Sequence, residues 1–191
     1  MYELPTSVKI GGVEYPIRNN GDYRVVLDIF SILEDPELSK TERILSSLIT
    51  FYEDMDDIDD LMAFNIEEAV KGMYEFFNAG RKDGSSNTNR KLIDWEDDSA
   101  MIASAINSVA GKEIRAEKYI HWWTFVSYYM AIGESTLSTV VSIRHKMMTG
   151  EKLEKWETKY KRENSQYFVW NSKTVEEKEA EAWVLAQWTS V

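Results

Sequence analysis

The chain has 191 residues, 43% hydrophobic and 13% aromatic, enough apolar side chain for a real core in one domain or two small ones. It carries no cysteine, which excludes disulfides and thiolate metal sites. The net charge of −11 falls wholly in residues 1–79, with 17 acids against 6 bases, while residues 80–191 hold 16 of each; such a face repels nucleic acid and lipid phosphates and suits solubility or a basic partner.

The N-terminus, MYELPTSVKIGG, shows no basic region followed by an apolar run, so no signal peptide is expected. In Ser7–Arg18, Val8 and Ile10 alternate with polar residues before Gly11-Gly12, and Val13, Tyr15 and Ile17 alternate after it. Two period-2 runs around Gly-Gly predict a β-hairpin. Pro16 lacks an N–H and belongs at an edge or bulge. A hairpin alone is marginal in water, so this one has to dock on helices as a lid.

Asp22 is placed to cap a helix over Tyr23–Leu33, whose Val25, Val26, Ile29, Phe30 and Leu33 share one stripe. Glu34-Asp35-Pro36 ends it. Ser39-Lys40-Thr41-Glu42 matches a capping box, and Ile44, Leu45, Leu48, Ile49 and Tyr52 give the stripe of the next helix. The short linker predicts an antiparallel pair.

Glu53–Asp60 reads EDMDDIDD, with six carboxylates. A calcium loop needs oxygen ligands at positions 1, 3 and 5, Gly at 6 and Glu at 12. Counted from Asp54, those last three positions are Ile58, Asp59 and Asn65, so the pattern fails and a solvated acidic loop is the cheaper reading. A further helix starts at Asn65-Ile66-Glu67-Glu68, buries Ile66, Val70, Met73, Tyr74 and Phe77, and stops at Gly80. Residues 80–91, GRKDGSSNTNRK, hold no large apolar side chain and predict a flexible connector, either between subdomains or as a loop within one.

In the second half, Asp94 is the expected N-cap of a helix Trp95–Ala110 with Ile102, Ala105, Ile106 and Val109 on its inner side and Gly111 as its stop. Its acidic first turn suits the helix dipole. Tyr119–Ile132, YIHWWTFVSYYMAI, has no formal charge and is too short for the roughly 20 apolar residues of a membrane span. A helix apolar on nearly every face is buried by others. Glu117–Ile132 is therefore expected to be the central helix of the core, stopped by a left-handed Gly133. Ser135–Met148 follows, with Leu137, Val140, Val141 and Met147 or Met148 facing in, and Gly150 ends it.

Lys152–Asn164 has a thin apolar edge of Leu153, Trp156 and Tyr160 among lysines. The basic run Arg144–Arg162 could contact nucleic acid, but Glu151, Glu154 and Glu157 lie among its cations, so a salt-bridged helix face explains it more cheaply. Thr174-Val175-Glu176-Glu177 is a second capping box, leading into Ala180, Trp183, Val184 and Trp188. That tail has large rings and little else to bury them, so its helix needs a partner or the rest of the fold.

No H-E-x-x-H, Walker A, G-x-S-x-G or G-x-G-x-x-G motif occurs. His121 and His145 are 24 residues apart, and His121, in the aromatic run, is expected to be a hydrogen-bonded core histidine. The expected organisation is a mainly α helical bundle with a small N-terminal β-hairpin: an acidic subdomain 1–79, a linker 80–91, an aromatic-core subdomain 92–165 and an aromatic tail 166–191.

The order of LPTSVKIGGVEYPI, DYRVVLDI, ELSKTER, IDWEDDSAMIASAI, IRAEKYIHWWTFVSYYMAI and STLSTVVSIR resembles the bacteriophage gene-product-fifteen family over residues 4 to about 162. The Ile120–Phe125 run, I-H-W-W-x-F, is the most specific part. The resemblance implies a phage tail assembly chaperone, not an enzyme. Such a protein acts in the host bacterial cytoplasm, leaves before the virion is finished, and uses no cofactor, metal, nucleic acid or membrane. Its implied partners are the tape measure protein, the tail tube protein, a neighbouring tail assembly chaperone and other copies of itself. The residues expected to grip the client are Tyr167, Phe168, Trp170, Trp183 and Trp188, with capping of the core as the bland alternative. Two other readings are a structural tail component kept in the virion and a metal-dependent hydrolase using Asp54, Asp56, Asp57, Asp59 and Asp60.

Overall fold

The structure is a computed structural model that describes residues 3–55, 65–81 and 92–168. Among these residues the fold is mainly helical, with seven α-helices and one two-stranded antiparallel hairpin. The chain divides into two compact units, residues 1–139 and 140–191.

In the first unit, β1 (Ser7–Ile10) and β2 (Val13–Pro16) pair with Ile10 opposite Val13. Gly11 and Gly12 form the loop at φ 56° and 89°, the left-handed backbone that a two-residue turn of this kind demands and that side chains resist. The hairpin docks on α3 (Ile66–Phe77), where Val8 presses on Gly72 so closely that no Cβ fits, and the Gly11 N–H donates to Glu68 at 2.7 Å.

α1 (Tyr23–Glu34) and α2 (Lys40–Phe51) pack on each other, and both start as their sequences dictate. The Asp22 carboxylate accepts from the Arg24 N–H at 3.0 Å. The Ser39 and Glu42 side chains exchange bonds with each other's backbone N–H at 3.3 and 2.8 Å, which satisfies two donors that the helix leaves free. The far end of α2 is held by Arg18, whose guanidinium donates to the carbonyls of Ile49, Thr50 and Tyr52 at 3.0–3.2 Å. A cation on orphan C-terminal carbonyls is favoured by the helix dipole. Next to it, the buried Tyr52 hydroxyl donates to the Ala69 carbonyl of α3 at 2.8 Å, and burial pushes its pKa well above the ordinary phenol value. Asn65 caps α3 by accepting from the Glu68 N–H at 3.3 Å. Tyr74, expected inside, lies on the rim of α3 and is 43% exposed.

α4 (Ser99–Ala110) starts four residues later than expected. Asp94 does not cap it. The Asp94 carboxylate instead accepts from the N–H groups of Glu96 and Asp97, both at 2.9 Å, and closes a separate turn ahead of the helix. This is the local bonding by which Asp competes with helix. Met101, Ile102, Ala105 and Ile106 are buried, Val109 is exposed, and Gly111 stops the helix at φ 68°.

The uncharged run is not one long buried helix. α5 spans only Trp122–Met130, and Gly133 is not left-handed. Residues 114–116 form a 3-10 turn. The following stretch is drawn out beside α1, with Asp22 bridged to His121 and the Tyr23 N–H donating to the Ile120 carbonyl at 2.9 Å. At the other end the Ala131 N–H folds back on the carbonyls of Ser127 and Tyr128.

α6 (Thr136–Thr149) begins in the first unit and continues into the second, where it is followed by α7 (Lys155–Glu163) and a 3-10 turn, Ser165–Phe168. Val140 and Ile143 are buried, while Met147 is exposed. In the second unit Lys146 of α6 and Glu157 of α7 form an ion pair of 2.7 Å, and Glu157 also accepts from the Glu154 N–H at 2.8 Å. Lys159 and Glu163 face each other at 3.9 Å on the outer side of α7.

Candidate interaction surface

Five residues of the run Ile120–Phe125, all but Thr124, have a definite task. The Ile120 N–H donates to the Asp22 carboxylate at 2.9 Å, inside the core. His121 is 2% exposed, and its Nδ1 accepts from the Trp123 N–H at 3.0 Å, capping α5. A nitrogen that accepts carries no proton, so Nε2 holds it and donates to the Pro5 carbonyl at 2.9 Å. Burial pulls the His121 pKa below its ordinary value, while the Pro5 carbonyl and Asp22 work against that shift. The imidazole is thus a satisfied structural group, as the sequence suggested.

The two indoles close the other end of α3. Trp122 Nε1–H donates to the Phe77 carbonyl at 3.0 Å, and Trp123 Nε1–H donates to the Phe76 carbonyl at 2.9 Å. Both are C-terminal carbonyls of a helix; the Phe77 carbonyl takes the indole as its donor, while the Phe76 carbonyl also accepts from the Ala79 N–H at 3.0 Å. Phe125 then stacks on Tyr23, with centroids 4.5 Å apart, and on Trp122 at 5.6 Å. Phe30 meets Trp122 and Phe77 edge-on at 5.7 and 5.4 Å. Offset and edge-on ring pairs of this kind add to the burial energy of the rings.

The remaining side of α5 is only partly covered by the described residues. Trp123, Val126 and Tyr128 are half-buried, and Met130 is 61% exposed. Two grooves meet at Trp123. The first, of about 570 Å³, runs between β1 and α3 and is floored by Gly72, Phe76 and Trp123. The second, of about 310 Å³, lies along α5 between Leu4, Trp123, Val126 and Met130. The Arg81 guanidinium rests on the Met130 sulfur at 3.6 Å. The charges lining the first groove, Lys9 and Lys71 against Glu68 and Glu75, cancel. Neither groove brings ionisable groups together deeply enough for acid–base chemistry, because the acids and lysines sit on the rim.

Of the residues expected to hold a client, only Tyr167 and Phe168 are among the described ones. Tyr167 and Phe168 are half-buried in the second unit. The Tyr167 carbonyl accepts from Arg144 Nε and Nη2 at 3.0 and 2.7 Å, and Phe168 meets Tyr160 edge-on at 6.5 Å. Arg144 is itself buried, so this contact anchors the turn. Trp170, Trp183 and Trp188 lie outside the described residues, as do Asp56, Asp57, Asp59 and Asp60 of the acidic stretch. Asp54 is exposed, and among the described residues no cluster of three or more His, Cys, Asp or Glu is placed to hold a metal. Trp123 and Met130 were missed as surface residues because an uncharged run reads as core; the exposed neighbour Ser127 was the available signal.

Among the described residues no helix is long and apolar enough to cross a membrane. No curated protein and no solved structure matches the chain. The family model described as Bacteriophage Gp15 protein matches residues 1–169, which includes the whole hairpin-to-α7 succession, and the chain belongs to that family.

Proposed function

We propose that the chain is a phage tail assembly chaperone. It binds the tape measure protein, tail tube subunits or both during tail morphogenesis, acts in the host cytoplasm and is left out of the finished particle. It works by reversible binding rather than by catalysis. The observation that carries this reading is family membership over residues 1–169, with the tail-assembly role that likeness to the family implies. The uncharged, half-open face of α5 supports it, since a helical client needs apolar and aromatic surface to lie on.

Co-expression with the tape measure gene of the same phage is the test. The tape measure protein stays in the soluble fraction and co-purifies with this chain when both are made, and aggregates when it is made alone. A tape measure protein equally soluble without this chain refutes the reading. Mass spectrometry of purified virions separates it from a structural role: a stoichiometric amount of the chain in the particle favours a retained tail component.

A further inference from the structure

The backbone register of the hairpin determines which groups of β1 face β2. Across a two-residue loop Ile10 and Val13 form a hydrogen-bonded pair, so Lys9–Glu14 is not bonded, Val8–Tyr15 is, and Ser7–Pro16 is not. Three observations agree. Pro16, which has no N–H, falls at a non-bonded position. The Ile17 N–H donates to the Thr6 carbonyl at 2.8 Å, the next bonded step. The Pro16 carbonyl, turned away from β1, accepts from the Glu53 N–H at 3.0 Å. The N–H and C=O groups of Ser7 and Lys9 therefore project from the outer edge of β1.

The two edges of the hairpin are treated differently. Tyr52 and Glu53 cover the β2 edge, through the Glu53 bond and a bridge between Ile17 and Tyr52. On the β1 edge His121 takes the Pro5 carbonyl, but among the described residues nothing bonds the backbone of Ser7 or Lys9 on that side. The first groove runs along this edge, since it is lined by Ser7, Val8 and Lys9 and by no residue of β2. An open strand edge is a template for another strand. Here the template lies beside a cleft whose floor is Phe76 and Trp123.

We propose that the outer edge of β1 is a strand-acceptor site, to which an extended segment of a partner protein adds as a third strand. The backbone of Ser7 and Lys9 supplies the hydrogen bonds, and alternate apolar side chains of the segment lie over Phe76 and Trp123. Because the lining charges cancel, the segment is close to neutral. The chain's own residues 82–91, which carry no large apolar side chain, do not match that floor. The site does not depend on the chaperone reading, since a strand can be taken up here whatever else the molecule binds.

The test is panning a displayed library of random linear peptides against the full chain, then measuring selected peptides against the wild type and Lys9→Pro. Proline removes the Lys9 N–H, which the hairpin does not use, so the fold is kept and circular dichroism checks it. The selected peptides alternate apolar and polar residues over four or five positions and bind Lys9→Pro roughly tenfold more weakly, through loss of edge hydrogen bonds. If Lys9→Pro does not fold, peptides N-methylated at alternate amides give the same answer, with one methylation phase losing binding and the other keeping it. Failure to enrich peptides, enrichment of a helical spacing, or equal binding in all these comparisons overturns the proposal. A wild-type dimer in sedimentation that Lys9→Pro dissociates also overturns it, by giving the edge to a second copy.

Discussion

The indole of Trp122 offers the sharpest test of how the first unit is held together. Trp122→Phe keeps a ring in the core and removes one N–H. That N–H is the donor to the Phe77 carbonyl at 3.0 Å, and both residues are buried. A buried acceptor left without a partner costs about 1–3 kcal/mol, and the smaller ring leaves unfilled space worth about 1 kcal/mol more. Trp123→Phe is the matched control. It also removes an indole N–H, but the Phe76 carbonyl keeps a bond from the Ala79 N–H at 3.0 Å, and Trp123 is only half-buried. Its cost is about 1 kcal/mol or less. Trp122→Phe should therefore lose roughly 2–4 kcal/mol, near 6–12 °C in melting temperature for a unit of this size. Urea unfolding followed by circular dichroism at 222 nm measures both, free of the overlapping fluorescence of seven tryptophans. Equal losses in the two variants, or a loss in Trp122→Phe under about 1 kcal/mol, refute the claim that the indoles act as helix caps of unequal weight.

Three further outcomes are expected. The folded chain binds a proton at His121 less readily than the unfolded chain, where the imidazole titrates near about 6.5, so its contribution is whole above that pH and is lost as pH falls through it toward the lower folded value; urea midpoints taken from pH 7.5 down should show this drop, and His121→Asn, which retains a capping acceptor, should flatten it. Gly72→Ala sets a Cβ against Val8 and should cost about 1–3 kcal/mol by overpacking, with amide exchange in Ser7–Pro16 accelerating before that of α1; unchanged exchange there would show that the hairpin does not depend on this contact. Lys146→Met strips the buried Glu157 of its cation, which lets the Glu157 carboxyl rise from its lowered pKa and should loosen the second unit, read as a downward shift of its melting transition that Lys146→Arg largely restores.

Three helix starts were legible because a side chain bonds its own neighbours. Asp22, Ser39 with Glu42, and Asn65 all cap as their spacing indicates, because a cap is a contact over two or three residues and needs no tertiary information. Gly11-Gly12 and Gly111 were legible for the same reason. Asp94 shows the limit: the same short side chain bonds Glu96 and Asp97 in a turn, and the choice between turn and helix rests on Asp98, whose buried carboxylate accepts from the Asp94 N–H at 3.0 Å. Arg18 was not legible at all, because its partners lie more than thirty residues away at the end of α2.

The uncharged run of Tyr119–Ile132 explains why the candidate surface escaped the sequence. Absence of charge reads as burial, but several polar atoms of this run tie it to other elements. His121 bonds at both nitrogens, both indole N–H groups are given to α3, and the Tyr119 hydroxyl donates to the Asn20 carbonyl at 3.0 Å. The segment lies at the junction of α1, α3 and the N-terminal strand region, and one side of it is half-buried or exposed. On α5 that side carries Trp123, Val126 and Met130, next to a strand edge that has no backbone partner among the described residues. The chain thus exposes apolar surface where its sequence is most uniform, and the two grooves that meet at Trp123 follow from the same side chains that close the end of α3.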